Sequence, residues 1–133
     1  MEENLENSLI KTSKTLLTIW QATESIEPLR QRILLLKTVV AGTYFANAKD
    51  VIPENSKKPV AVKLKREPEN KYDSLAILVL TEEGQKLGYV PKIKNEILAR
   101  LLDAGKHIDA DLVRYTHYAD GIEIEIEIYF SED

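Results

Sequence analysis

The sequence predicts a mainly β (α+β) domain: a small, partly open six-stranded barrel with one inserted helix, preceded by an N-terminal helical arm. Three observations predict it. Short runs rich in β-branched, aliphatic and aromatic residues recur between turn-forming residues from position 38 onward. Two pairs of neighbouring runs are joined by tight-turn signals, Thr81-Glu82-Glu83-Gly84 and Ala119-Asp120-Gly121. One stretch, 92–103, replaces this pattern with apolar residues at helical spacing.

Taken in chain order, residues 4–23 place Leu5, Leu9, Leu16, Ile19 and Trp20 near helical spacing, with polar residues between them. Thr12, Ser13 and Thr15 lower the helix propensity there. Pro28 ends this helix or starts another turn, with Ser25 placed to cap residues 26–31. The arm is therefore set at 1–36 and the barrel at 37–133. The arm either packs across an open end of the domain or docks a protein partner or a second copy through residues 1–30.

Ile33-Leu34-Leu35-Leu36 leads into a first strand at 38–45, where Gly42 marks a bend, a bulge or a close backbone approach. A helical turn at 48–53 and a polar loop at 54–59 precede strands at 60–66 and 75–80. Gly84 supplies the positive φ of the hairpin before a short strand at 86–90, which Pro91 stops. Ile93, Ile97, Leu98, Leu101 and Leu102 define the helix 92–103, closed by Gly105. A strand at 107–118 turns into one where Ile122, Ile124, Ile126 and Ile128 alternate with Glu123, Glu125 and Glu127. Its acidic face reads as a solvated surface that discourages edge-to-edge pairing.

The net charge of −4 argues weakly against non-specific nucleic-acid binding, but its distribution is uneven. Residues 57–94 carry nine Lys/Arg against five Asp/Glu, a net of +4, and residues 95–133 carry a net of −7. A phosphate responds to the local zone, because charges beyond about 8–10 Å are screened. There is no cysteine, hence no disulfide or thiol chemistry. No apolar run approaches the roughly 20 residues of a membrane-spanning helix. The acidic Met1-Glu2-Glu3-Asn4 is unlike the basic start of a signal peptide. The expectation is a cytoplasmic protein with no membrane association.

The stretch Lys65-Arg66-Glu67-Pro68-Glu69-Asn70-Lys71-Tyr72-Asp73 is chemically dense for a connection between two strands. It offers cations for phosphates, an aromatic face and an acidic hydrogen-bond acceptor at one barrel edge. Asp73 is either such an acceptor or a turn residue capping a backbone N–H. Tyr72 and Phe45 are either stacking surfaces or core aromatics.

Several segments together resemble the HIRAN domain. They are Val40-Ala41-Gly42-Thr43-Tyr44-Phe45, Leu64 through Asp73, Ala76-Ile77 with Val79, Gly84, Leu87-Gly88-Tyr89-Val90-Pro91, and the helix Asn95 through Gly105. The resemblance covers roughly 38–130 and implies an OB-like barrel, binding of single-stranded DNA and capture of its 3′-hydroxyl end, in repair or replication. It implies that Asp73 accepts from the 3′-hydroxyl, Tyr72 stacks on or walls the terminal base, and Asn70 positions the end. Phe45 would be the aromatic from the first strand, with Tyr44 beside it at a position that is cationic in the eukaryotic form. Tyr89 falls where that form has a histidine near the phosphate, and Lys92 follows it. Lys65, Arg66, Lys71 and Lys92 would neutralise phosphates. Leu75 stands where the eukaryotic loop is polar, and Lys71 where it often has proline. Tyr115 and Tyr118 are the candidates for a second stacking aromatic.

No glycine-rich phosphate loop, H-E-x-x-H motif or nucleophile elbow is present. A structural zinc site needs four N/S ligands, and His107 and His117 cannot supply them. The expectation is a binding module without enzymatic activity, metal or cofactor. The alternatives are a protein-interaction module using the N-terminal helix and the acidic strand, and a small enzyme acting on DNA ends.

Overall fold

The computed structural model describes residues 31–52 and 60–131. The helix expected at 4–23, the turn at 26–31 (save its last residue) and the loop at 54–59 lie outside them. The chain divides into two units between Gln31 and Arg32, and the account below concerns the second, Arg32–Asp133.

Its elements are β1 (Arg32–Val39), a one-turn helix α1 (Ala48–Val51), β2 (Val60–Arg66), β3 (Ile77–Thr81), β4 (Lys86–Tyr89), a 3₁₀ turn (Lys92–Lys94), α2 (Glu96–Asp103), β5 (His107–Tyr118) and β6 (Gly121–Ser131). All the strands join one sheet in the order β1-β6-β5-β2-β3-β4, every pairing antiparallel. Bulges between Leu34 and Leu36, Val79 and Leu80, and Leu112 and Arg114 bend the strands and raise their twist. The sheet curls until its two ends meet. Just past β1, Ala41 and Tyr89 exchange both backbone hydrogen bonds at 2.8 Å. The result is the OB-like barrel expected from the sequence.

Alternation builds the core. Ile122, Ile124, Ile126 and Ile128 of β6 all point inward and are buried. They meet Ile77 and Val79 of β3, Ala110 and Leu112 of β5, and Leu87 of β4. Leu98 and Ala99 bring α2 onto the same core, and Ala48 does so for α1.

Three expectations need correction. The first strand runs from Arg32 to Val39, not over 38–45. Ile33, Leu36 and Thr38 pair with Phe130, Ile128 and Ile126, so the long β6 draws the preceding apolar run into the ladder. Gly42, at φ +74°, then turns the chain off the sheet. Tyr44 and Phe45 therefore sit in the turn 43–47 rather than in a strand. This turn is fastened to the β5–β6 hairpin. Thr43 Oγ1 donates to the Ile122 carbonyl (3.0 Å) and Lys49 Nζ to that of Ala119 (2.7 Å).

The second correction concerns the glutamates of β6. This strand lies between β1 and β5, so its acidic face guards no edge. Glu125 instead binds the Arg114 guanidinium through both oxygens (2.8 and 3.0 Å), and Glu127 lies 3.7 Å from Lys37 Nζ. These are cross-strand pairs of opposite charge, which stabilise a sheet modestly. The expected helix 92–103 is also divided: Lys92–Lys94 form a 3₁₀ turn and the α-helix begins at Glu96.

Candidate functional site

The connection between β2 and β3, residues 67–76, is shaped largely by its own side chains. Asn70 Oδ1 accepts the backbone N–H groups of Tyr72 (2.8 Å) and Asp73 (3.0 Å). Asp73 Oδ1 accepts the N–H of Leu75 at 2.9 Å. Asn and Asp favour such turns because their short side chains reach backbone donors two or three residues on. Glu67 N–H donates to the Ala76 carbonyl at 3.0 Å and closes the base of the loop. Tyr72 is held between the two anchors with 88% of its surface exposed.

Three contacts fix this loop to the barrel. Arg66, only 13% exposed at its side chain, donates to the carbonyls of Ala76 (2.7 Å) and Ser74 (2.9 Å) and grips Asp103 of α2 through Nε (2.9 Å). Tyr89 of β4 donates its hydroxyl to Glu67 Oε1 at 2.7 Å, the oxygen that also receives Asn70 Nδ2 at 2.7 Å. Lys86 Nζ sits 4.5 Å from the centre of the Tyr89 ring and 3.2 Å from its hydroxyl. Asn95, which is 2% exposed at the start of α2, donates Nδ2 to Asp73 Oδ2 at 2.7 Å.

Hydrogen bonding to the charged form holds both carboxyls below their ordinary range. For Asp73 the Leu75 N–H is the main cause, with Asn95, Lys92 and Arg66 adding to it against a desolvation penalty. For Glu67 the causes are Asn70 and then Tyr89, with smaller help from Lys86 and Lys65. Both are anions at neutral pH.

A pocket of about 280 Å³ opens between this loop and β4. Its walls are Ala41, Asn70, Tyr72, Asp73, Ala76, Tyr89, Val90 and Lys92. It combines apolar walls, an exposed aromatic, an acceptor-only carboxylate and a cation. A wider groove of about 560 Å³, lined in part by Lys37, Arg114, Glu125 and Glu127, shares none of these residues. There Arg114 and Lys37 are already matched by glutamates.

Of the residues named from the sequence, the pocket gathers Asn70, Tyr72, Asp73, Tyr89 and Lys92. Lys65 and Lys71 are exposed and do not line it. Arg66 is a structural clamp, its guanidinium turned toward two carbonyls and Asp103 rather than outward. Tyr44 and Phe45 stack edge-on at 5.5 Å in their turn, 69% and 88% exposed, and do not line the pocket. Neither Tyr115 nor Tyr118 lines it. The turn reading of Asp73 holds, since it caps the Leu75 N–H, and the residue also lines the pocket. Sequence reasoning missed Glu67 and Asn95 as supports. Glu67 lies inside the dense loop stretch, a usable signal. Asn95 looked like an ordinary helix-start residue.

The clamp has a measurable consequence. Arg66→Ala is expected to cost about 1.5–3 kcal/mol of stability, since it removes charge-assisted hydrogen bonds to Asp103 and to the Ala76 and Ser74 carbonyls. Arg66→Lys should recover little of this, because an ammonium lacks the planar fork. Urea denaturation of both variants checks it, and a neutral Arg66→Lys would refute the fork argument.

Fold and site together define a class: a small OB-like barrel presenting a loop-built pocket with one exposed aromatic, one fixed carboxylate and one cation. Residues 33–133 match the family model of the HIRAN domain, about three quarters of the chain. The chain belongs to the HIRAN domain family. Its fold is similar to a crystal structure of a protein from Lactobacillus plantarum, with TM-score 0.66 and 24% identity over 79% of this chain and 100% of that one. It is also similar to the crystal structure of the HIRAN domain of human HLTF, with TM-score 0.57 and 21% identity over 75% of this chain and 78% of that one. The NMR structure of the HLTF HIRAN domain in its DNA-bound conformation matches with TM-score 0.51 and 21% identity, over 76% and 79% of the two chains. No curated protein matches the chain. Among the described residues no helix is long and apolar enough to cross a membrane.

Proposed function

We propose that this chain binds single-stranded DNA and receives its 3′-hydroxyl end in the pocket between Tyr72, Asp73 and Lys92. It acts in repair or replication by positioning another activity, without catalysing a reaction itself. The observation that carries this reading is the pairing of an ionised, hydrogen-bonded Asp73 with a fully presented Tyr72 in one small pocket. The relative solved in a DNA-bound conformation supports DNA as the ligand class.

The chemistry is direct. Every base has a π-face, so stacking on Tyr72 contributes about 1–3 kcal/mol without reading sequence. A terminal 3′-hydroxyl is a donor, whereas an internal 3′-oxygen is esterified and donates nothing. An ionised carboxylate only accepts, so Asp73 matches the terminus and repels a phosphate in its place. Lys92 supplies a phosphate partner in the pocket, and the exposed Lys65 and Lys71 are further cations for the phosphates.

Fluorescence anisotropy on matched single strands ending in a 3′-hydroxyl, a 3′-phosphate or a closed hairpin tests the reading. The first is expected to bind tightly and the other two weakly. Tyr72→Ala should lower affinity by roughly 5- to 150-fold. Lys92→Ala should reduce the slope of log affinity against log salt by about 0.7. Equal binding of all three strands would refute end recognition. No binding at low salt would refute the nucleic-acid reading and leave the protein-interaction alternative.

A further inference from the structure

Asn95 is a residue type that normally caps the helix it precedes, by accepting a backbone N–H with its side-chain oxygen. Here it makes no such bond. Its backbone sits at φ −95°, ψ −15°, and its buried amide is turned away to Asp73 Oδ2 at 2.7 Å. An ionised carboxylate accepts only, so the amide nitrogen, not its oxygen, faces it. Asp73 is thus held at both oxygens, by the Leu75 N–H from its own loop and by Asn95 from the start of α2. The charged groups acting on it are Lys92 of the 3₁₀ turn and Arg66 of β2.

Lys92 lines the same pocket as Asp73. The pocket therefore contains one group suited to a terminal hydroxyl and one suited to a terminal phosphate. Which terminus it takes depends on where the carboxylate stands. Held in place, the carboxylate offers its remaining acceptor positions and opposes a second anion. With Oδ2 released, the carboxylate keeps its Leu75 bond at Oδ1 but can turn its other oxygen toward Lys92 or out to solvent, and the site's opposition to phosphate weakens.

Resting on the end-binding function proposed above, we infer that Asn95 is a positioning residue that sets terminus selectivity: by fixing the second oxygen of Asp73, it makes the pocket take a hydroxyl and refuse a phosphate. It contributes no direct contact to the DNA. The tie links selectivity to the seating of α2, since a shift of the helix start would release Asp73.

The test is the ratio of affinities for the 3′-hydroxyl and 3′-phosphate strands, measured with the full chain at pH 5 and pH 8. Each variant is read against the wild type at the same pH, which cancels the titration of the phosphate itself near pH 6. Asn95→Ala is expected to lower the ratio at least about 10-fold at both pH values, the equivalent of one lost charge-assisted hydrogen bond. Asn95→Asp is expected to behave differently. Two carboxyls in contact share a proton, and one of them titrates far above its usual range. At pH 5 the protonated member donates as the amide did, so the ratio stays near wild type. At pH 8 both are ionised and repel, so the ratio falls about 10-fold or more. A merely structural role would weaken both strands equally, with no pH-dependent rescue, and would overturn the inference.

The titration of the Asp73 carboxyl carbon by NMR, without DNA, separates this from failure of the parent reading. Its midpoint should rise in Asn95→Ser, a smaller polar replacement chosen in case the alanine variant does not fold. If the wild type shows no terminus preference, end recognition fails and the inferred selectivity role falls with it. If the wild type discriminates and the Asp73 midpoint does not move, the role of Asn95 alone is overturned.

Discussion

Gly88→Ala is expected to remove much of the stability of the domain, about 2–6 kcal/mol. A Cβ at this position would lie 2.3 Å from the Ala41 carbonyl oxygen and 2.6 Å from Val40 Cγ1. The first is backbone and cannot move without breaking the Ala41–Tyr89 bridge that closes the barrel. Gly88 also stands at φ +153°, where a side chain is strained. Overpacking of this kind costs about 1–3 kcal/mol and the backbone strain about as much again. A small domain has only about 5–15 kcal/mol in total. Gly84→Ala is the control, because Gly84 has a positive φ of 93° but nothing within 4 Å of its would-be Cβ. Urea denaturation of the two variants separates crowding from strain. If Gly88→Ala is no worse than Gly84→Ala, the barrel is not closed by this contact. The effect should reach the site, since Tyr89 follows Gly88 directly and walls the pocket.

Asp73→Asn is the second large effect. It is expected to weaken binding of a 3′-hydroxyl strand by about 10- to 100-fold, the worth of a hydrogen bond to a charged group. It should also strengthen binding of a 3′-phosphate strand, because the repelling charge is gone. Asparagine retains an oxygen for the Leu75 N–H, and its amide can pair with a reversed Asn95 side chain. The loop should therefore persist, and stability should change little compared with Asp73→Ala. Anisotropy with the two strands and a urea titration decide it. Equal losses for both strands would mean that Asp73 shapes the loop and does not read the terminus. This change removes the charge proposed to read the terminus, whereas changes at Asn95 release its orientation, so the two sets of variants are complementary.

The sequence made some parts of this molecule plain and concealed others. The strict Ile/Glu alternation of 122–128 could only be a half-buried strand, and in β6 all four of these isoleucines are buried. The Asn-Lys-Tyr-Asp stretch carried its own turn chemistry, so the loop that builds the pocket was readable locally. The first strand was misplaced because Ile33-Leu34-Leu35-Leu36 and Thr38 through Phe45 have similar strand character. Pairing with β6, some 90 residues away in the chain, decided between them. Phe45 went with that error. Its expected role as an aromatic of the first strand assumed a ladder that ends before it is reached.

Local chemistry alone thus settled the strand and helix types, the acidic and apolar faces of β6, and the loop in which Tyr72 is presented and Asp73 is capped. Each depends on neighbours within a few residues, where side-chain spacing and backbone preference act directly. Contacts between distant segments settled the rest. Arg66 looked like a free cation until Asp103, 37 residues on, was brought against it. Asn95 read only as the first residue of a helical segment until Asp73, 22 residues earlier, was laid over the start of α2. Gly88 showed its necessity only when Ala41 crossed above it. Whether a charged or polar side chain meets a ligand or the protein depends on which partners lie within about 3 Å. Residue spacing along the chain does not contain that distance; the closing of the barrel creates it.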